Sequence, residues 1–289
     1  MSKSKPKLTA SQDPTMVKVD GVELRTGCLL PEVKPNTVAP LTAAPGFKTW
    51  TRTEIEEYCK KKPVRRREQF SGKDWVLNQA NRGSCNCAAL CGALRRTFTI
   101  NGRNDVPQLS WEFAYAQLVD GNDQGSMLDD GMNFVLMGTG LPPLDPAKHP
   151  LNKHIRKRDY SPEEYAAAKG WRAELCYQTD DPLELATGIA MGGAGVVAVH
   201  VGSRFTNLDS KGYAGADSGP GNHAVCVGDI EMVDGKIAFD HVGSWSTSMH
   251  DDGYAYFDWD RHLAKTNKYH AFYVIFAGNN PNAGGGSII

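Results

Sequence analysis

Apolar residues recur at helical spacing in the first part of the chain and at strand-like spacing towards the C-terminus. The helical pattern, with its caps and prolines, predicts helices at 53–62, 85–98, 110–118, 129–137, 162–168 and 182–191. Short β-branched or aromatic runs bounded by Gly, Asp or Asn predict strands at 196–201, 223–230, 236–242, 254–257 and 272–276. Helices followed by strands in this order indicate an α+β fold, in which a helical half packs against an antiparallel sheet.

The first 69 residues lack this periodicity. Six of the 16 prolines lie in the first 50 residues, where one short hairpin is predicted around Asp20 and Gly21. Six of the eight residues at 60–67 are basic, a run that fits either a solvated face or a docking surface for an acidic partner. We therefore divide the chain into a proline-rich basic arm (1–69) that contains the helix at 53–62, a folded domain (70–277) and a flexible C-terminal tail (278–289).

The overall charge is close to neutral, which argues against two classes of partner. The 289 residues include 32 basic and 33 acidic side chains, so we expect neither nucleic acid nor a membrane as partner. The N-terminal sequence contains no apolar signal segment, and no apolar run is long enough to span a bilayer. The expected location is therefore cytoplasmic, or within a virus particle if the protein is virus-encoded.

The cysteines and histidines leave few candidates for a metal site. The seven cysteines are odd in number and scattered, which argues against a disulfide framework. Cys87 and Cys91 are four residues apart and share a helix face, where core packing is expected. No paired Cys-x2-Cys spacing occurs, so we expect neither a metal nor a cofactor. We assign structural or surface roles to the remaining unmatched histidines, which are His200, His250, His262 and His270.

The segment 79–94, QANRGSCNCAALCGAL, is the most informative for chemistry. A polar loop here leads into an Ala/Leu-rich helix, and Cys85 lies at the junction. Backbone N–H groups and the helix dipole at a helix N-terminus favour the thiolate, which is the nucleophilic form of cysteine. Gln79 could fold back so that its amide and the Cys85 backbone N–H together bind an oxyanion. The pattern predicts a nucleophilic thiol.

Three blocks of the sequence resemble the papain-like cysteine peptidases, in the order found in that superfamily. Gln79, Ser84 and Cys85 resemble the motif of Gln, four variable residues, Ser or Thr, then Cys. The block at 222–228 resembles the strand that carries the general base, and the block at 243–254 resembles the Asn-Ser-Trp-Gly-Thr…Asn-Gly-Tyr signature. The resemblance extends from about residue 70 to 276 and implies a two-lobed fold, with the nucleophile helix in the helical lobe.

The resemblance also implies a role for each matched residue. Cys85 would attack the carbonyl, His223 would act as base and then acid, and Gln79 would stabilise the oxyanion. It further implies substrate-binding positions, which are Gly125, Ser126 and Asn222.

The sequence departs from the family pattern at two positions. The asparagine that orients the histidine in the family falls on Gly243, while Trp245, which shields that contact, is retained. His241 is a candidate replacement because it shares a strand face with Gly243, whereas Asp240 should point to the opposite face. Asn86 follows the nucleophile, where the family commonly has a bulky residue.

We therefore expect a cysteine peptidase that hydrolyses peptide or isopeptide bonds in a protein or peptide substrate. The arm 1–69 would be its pro-segment or a tether, and the helix at 53–62 could cover the cleft. The alternative is a weak or inactive peptidase-fold structural protein that docks into an assembly, such as a virus particle, through this arm. Another acyl-transfer reaction on the same fold, amidase or transglutaminase chemistry, is a third interpretation.

Overall fold

A computed structural model describes residues 16–19, 22–30, 38–62, 66–72, 74–150, 153, 155–264 and 272–277. The predicted tail 278–289 lies outside these residues. The α-helices of the described part are α1 (Arg52–Lys61), α2 (Arg66–Gln69), α3 (Cys85–Ile100), α4 (Trp111–Val119), α5 (Leu128–Asp130), α6 (Pro162–Ala168) and α7 (Pro182–Ala190). A π-helical segment, Gly131–Thr139, continues directly from α5. The helix predicted at 129–137 is therefore present, with a wider winding over most of its length.

The strands include five that follow all of the α-helices, as predicted, and five that lie before or between them. They are β1 (Met16–Val19), β2 (Val22–Arg25), β3 (Cys28–Leu29), β4 (Ser126–Met127), β5 (Leu175–Thr179), β6 (Ala194–Val199), β7 (His223–Val233), β8 (Lys236–Val242), β9 (Tyr254–Asp258) and β10 (Phe272–Phe276). Six of them form one antiparallel sheet in the order β5-β10-β6-β7-β8-β9. The α+β class is confirmed. The strand β5 was not predicted.

Alternate residues of the central strands face two different hydrophobic cores. In β7, Ala224 and Cys226 face the core built around α3 and α4, while Val225 and Val227 face the core built around α7. This division follows from the two-residue period of a strand that is buried on both faces. The helical lobe therefore packs on one face of the sheet, and α3 is the helix that lies along β7.

The described residues of the arm contribute to both cores, with Cys28, Leu30 and Val38 in the first core and Leu24, Leu41 and Ile55 in the second. Leu41 and Ile55 are fully buried among residues of the sheet and α7, and the backbone of Ala39 accepts a hydrogen bond from Gln178 of β5. The helix α1 begins at a Thr51 capping box, so it starts at Arg52, one residue before the predicted start at 53. That the domain 70–277 folds independently of the arm stays a prediction.

The helix α1 does not cover the cleft, so that prediction was wrong. The Cys59 thiol contacts the carbonyl oxygen of Ile230 at 3.7 Å, and the Lys62 amine lies 2.7 Å from Asp229. Both of these contacts are in the far half of β7, several residues from His223 at its start. The reason is the apolar face of α1, which carries the buried Ile55 and packs against α7 and β7.

Candidate active site

Cys85 is the first residue of α3, where free backbone N–H groups and the positive end of the helix dipole meet the cleft. Its thiol is fully buried. Burial raises the pKa of the Cys85 thiol to about 11, and backbone N–H groups of Ala224, Gly27 and Asn86 act against that rise. At pH 7 the Cys85 side chain is therefore a neutral thiol in this arrangement.

His223 begins β7 and packs against Trp245, with ring centroids 4.2 Å apart and the two planes inclined by 23°. Burial lowers the pKa of the His223 imidazole to about 3, and nearby His250 acts in the same direction. Neither ring nitrogen of His223 hydrogen-bonds a residue that the structure describes. The imidazole is therefore neutral, and aromatic packing rather than a polar partner holds it.

The side chain of Gln79 is buried and fixed at both ends of its amide. Its Oε1 accepts a hydrogen bond from the hydroxyl of Ser244. Its Nε2 donates to the carbonyl oxygens of Arg82, at 2.7 Å, and of Arg25, at 2.9 Å. Because Ser244 fixes which end of the amide faces outwards, Nε2 is presented as a donor, which is what oxyanion binding requires.

Residues 25–29, which we call the cleft segment, lie across this site. β3 (Cys28–Leu29) pairs in parallel with β4 (Ser126–Met127). The carbonyl oxygen of Gly27 accepts a hydrogen bond from the Ser126 N–H at 2.9 Å, and the Cys28 N–H donates to the Asn222 carbonyl oxygen at 3.0 Å. The arm thus enters the site through its cleft segment, a feature that the sequence did not reveal.

Glycines allow the cleft segment to touch the walls of the cleft. A Cβ on Gly27 would lie 2.0 Å from the carbonyl oxygen of Gly83. Gly125 has a φ of +85°, and a Cβ there would lie 2.5 Å from the carbonyl oxygen of Gly27. Any side chain at these two positions would therefore push the cleft segment and the wall apart.

The predicted substrate-binding positions meet at the cleft segment. Ser126 contacts it through its backbone N–H, and Gly125 through its close approach to Gly27. Asn222 contacts it through its carbonyl oxygen only, since its side-chain amide makes two hydrogen bonds with the backbone of Val201, at 2.8 and 3.1 Å. Their role in binding a substrate stays a prediction.

Gly243 has no side chain that could orient His223. The replacement predicted for it, His241, does not orient His223 either. His241 uses its Nδ1 to bond the carbonyl oxygen of Ala255 at 2.8 Å, and its ring stacks on Phe257 at 3.9 Å. The prediction that His241 orients the imidazole was therefore wrong, because the neighbouring strand and its aromatic ring hold the side chain instead.

The side chains of Asp240 and Asn86 are each held by polar partners. Asp240 points to the opposite face of β8, as predicted, and pairs with Arg67 at 2.7 Å. The unusual Asn86 donates hydrogen bonds to the Ser126 hydroxyl, at 3.1 Å, and to the Met127 carbonyl oxygen, at 2.7 Å. Asn86 therefore ties the nucleophile helix to the strand that lines the cleft.

A cluster of histidine and aromatic rings surrounds Phe205 behind the site, and the sequence did not predict it. Phe205 lies 6.2 Å from His223, 6.0 Å from His241 and 5.0 Å from His250, measured between ring centroids. The assignment of His250 and His262 as structural agrees with their packing, since each bonds a backbone carbonyl oxygen at 2.8 Å. The sequence signal for this cluster is the alternation of ring-bearing residues along β8 and β9, since residues two apart on a strand share one face of the sheet.

The remaining cysteines serve as core residues. Cys87 and Cys91 are fully buried in the core of the helical lobe, which confirms the packing assignment. Within the described ranges, no group of three or more His, Cys, Asp or Glu side chains could hold a metal ion. Among the described helices, none combines the length and the hydropathy needed to cross a bilayer.

The fold is similar to that of papain-like cysteine proteases, so the resemblance seen in the sequence is confirmed at the level of the fold. The chain is similar to xylellain, a cysteine protease from Xylella fastidiosa, with a TM-score of 0.61 and 18% identity over 88% of this chain and 96% of that one. It is also similar to digestive procathepsin L2 from Tenebrio molitor larval midgut, with a TM-score of 0.63 and 18% identity over 88% of this chain and 78% of that one.

Bromelain from Ananas comosus, solved in complex with the E64 inhibitor, has a TM-score of 0.58 and 15% identity over 74% of this chain and 97% of that one. No family model matches the sequence, and no curated protein matches it significantly. The similarity is therefore one of fold.

Proposed function

We propose that this chain is a latent cysteine peptidase, in which Cys85 is the nucleophile, His223 the general base and Gln79 the oxyanion donor. One observation carries the proposal. A peptide already lies across the site, with its Arg25 carbonyl oxygen on the Gln79 amide and its Gly27 backbone close enough to the Cys85 thiol to lower the pKa of that thiol. A site built to hold peptide backbone at a thiol and an amide donor is suited to acyl transfer from a peptide.

The reaction would begin when the cleft segment leaves and water and substrate enter. The Cys85 sulfur would bond to the carbonyl carbon while its proton passes to His223, and the Gln79 Nε2 and the Cys85 N–H would bind the oxyanion. Collapse of this intermediate would break the C–N bond, with His223 giving the proton to the leaving amine. Water would then hydrolyse the thioester and restore the thiol.

The closed arrangement explains the proposed latency in electrostatic terms. Burial without water disfavours both the thiolate and the imidazolium, so Cys85 and His223 are neutral at pH 7. Solvent entering the open cleft would lower the thiol pKa and raise the imidazole pKa. The backbone N–H groups around Cys85 and the dipole of α3 would then favour the thiolate.

The second candidate is a peptidase-fold protein without activity, docking into an assembly through the arm 1–69. The observations that favour it are that His223 has no polar partner among the described residues and that Gly243, where the family's orienting asparagine falls, has no side chain. Loss of an orienting group usually weakens such a site rather than abolishing its activity, so we place catalysis first.

A thiol-labelling experiment tests the proposal on the full chain. An epoxysuccinyl inhibitor is added to the wild type and to the Gly27→Ala variant, and mass spectrometry maps the modified cysteines. Preferential labelling of Cys85 over the buried Cys226 in the variant, together with peptide cleavage that Cys85→Ala abolishes, is the expected result. Equal labelling of the two cysteines in Gly27→Ala, with no cleavage, would leave the non-catalytic assembly protein as the function.

A further inference from the structure

The cleft segment brings an arginine side chain to a single carboxylate in the cleft wall. The Arg25 carbonyl oxygen lies 2.9 Å from the Gln79 Nε2, and the Nη1 of the same residue lies 2.9 Å from the Asp123 Oδ2. Both side chains of the ion pair are largely buried, at 28% and 16% exposed. A charged pair with this geometry and partial burial is stronger than an ordinary surface ion pair.

Asp123 is held in place by groups of the wall itself. Its Oδ1 accepts hydrogen bonds from the Tyr115 hydroxyl, at 2.6 Å, and from the Gly83 N–H, at 3.0 Å. These two bonds leave Oδ2 directed at the cleft. Arg82 approaches the same Oδ2 at 3.5 Å, so the shorter bond is the one made from the cleft by Arg25.

The separation between the Gln79 amide and the Asp123 carboxylate is fixed by the cleft wall. It does not depend on the direction in which a peptide runs through the cleft. Gln79 Nε2 bonds the carbonyl oxygen of Arg82, and Asp123 bonds the N–H of the next residue, Gly83. A residue whose carbonyl oxygen is on Gln79 can therefore place a guanidinium or ammonium group on Asp123, as Arg25 does.

We propose that Asp123 selects a basic residue, arginine above lysine, at the position that supplies the scissile carbonyl group. The inference rests on the peptidase function proposed above and names its substrate class, which is a peptide cleaved after a basic residue. Arginine is favoured because its planar fork of N–H donors matches a carboxylate, whereas lysine offers a single compact charge.

Two peptidyl chloromethyl ketones test the proposal on the full chain carrying Gly27→Ala. They differ only at the residue next to the reactive ketone, which is arginine in one and citrulline, its neutral isostere, in the other. We expect the arginine reagent to alkylate Cys85 about tenfold to one-hundredfold faster, the range that a charged hydrogen bond in such a site supplies. Asp123→Asn, which retains an oxygen acceptor for Tyr115 and Gly83, should bring the two rates close together.

A matched control is Asp105→Asn, which neutralises an exposed carboxylate paired with Arg103 and should leave the preference intact. Equal rates of Cys85 alkylation by the two reagents in the parent chain would overturn the inference and leave the peptidase function standing. An equal loss of both rates in Asp123→Asn, with the preference kept, would assign Asp123 a purely structural role and overturn it as well. Alkylation of Cys85 no faster than that of Cys226 by either reagent would overturn the peptidase function itself.

Discussion

The carbonyl oxygen of Arg25 accepts a hydrogen bond of 2.9 Å from the Nε2 of Gln79, so a residue of the arm lies on the proposed oxyanion donor. The backbone of Gly27, in the same segment, acts to lower the pKa of the Cys85 thiol. The arm therefore blocks the substrate position, since a substrate carbonyl group could reach Gln79 only after Arg25 has left.

Gly27→Ala should open the cleft in the full chain. The new Cβ would lie 2.0 Å from the Gly83 carbonyl oxygen, and relieving such an overlap costs about 1–3 kcal/mol. We expect the rate of Cys85 alkylation by iodoacetamide at pH 7 to rise about tenfold. Gly170→Ala is the control, since its nearest contact would be an ordinary 3.5 Å. An unchanged rate in Gly27→Ala would mean that the cleft segment does not limit access to the thiol.

The main elements could be predicted from the sequence because their signals are local. The helix at the nucleophile and five of the six strands of the sheet carry their own periodicity and end signals, and the sequence predicts them within a few residues. The position of Cys85 at a helix start was predicted for the same reason.

The cleft segment could not be predicted because it depends on contacts between distant parts of the chain. β3 and β4 are two residues long each and have no periodicity of their own. Their pairing depends on the close approach of Gly27 to Gly83, and a lone glycine does not identify its neighbour. The failure at His241 has a similar cause, since its partner, Phe257, lies on the next strand.

The buried histidines should make folding stability fall as the solution becomes acidic. Burial lowers the pKa of His241 well below its ordinary value, and the pKa values of His223, His250 and His262 are also lowered. Below about pH 6.5 the unfolded chain binds protons that the folded chain does not, so the free energy of unfolding decreases as pH falls. A histidine that stays neutral in the folded chain over this range, as the shifts of His223 and His241 indicate, contributes up to about 1.4 kcal/mol per pH unit between pH 6 and 5.

Urea unfolding of His241→Phe between pH 6 and 5 measures this contribution. Phenylalanine can keep the stack on Phe257 but does not titrate, so the slope of stability against pH should decrease by about one histidine's share. Phe257→Leu is the control, since it loosens the same stack without removing a titrating group and should lower stability at both pH values. The same slope in His241→Phe and the wild type would argue against a neutral buried His241.

Lys62, within the basic run, is expected to stabilise the fold from inside the protein. Its amine lies 2.7 Å from Asp229 and 2.8 Å from Glu231, and only 7% of its side chain is exposed. Lys62→Met removes the cation and leaves two carboxylates near each other, which should cost about 3–5 kcal/mol in urea unfolding. Lys60→Met, in the exposed pair with Glu57, should cost about 0–1 kcal/mol. Similar losses in both variants would show that the Lys62 pair is not a buried one.

Gly243→Asn tests whether an orienting amide is all that separates His223 from a fully assembled site. The backbone there has space for a side chain, since the nearest contact of a Cβ would be the Gly253 carbonyl oxygen at 3.6 Å. An asparagine could hydrogen-bond the imidazole, which has no polar partner among the described residues, and hold the tautomer that takes a proton from Cys85. In the Gly27→Ala background we expect kcat for a peptide substrate to rise about tenfold, because a wrongly oriented or wrongly protonated histidine slows catalysis strongly in such sites.

Gly243→Ala is the matched control, since it adds the Cβ without the amide and should leave kcat unchanged. Equal kcat values for the Asn and Ala variants would show that ring packing on Trp245 already orients the imidazole as well as an amide would.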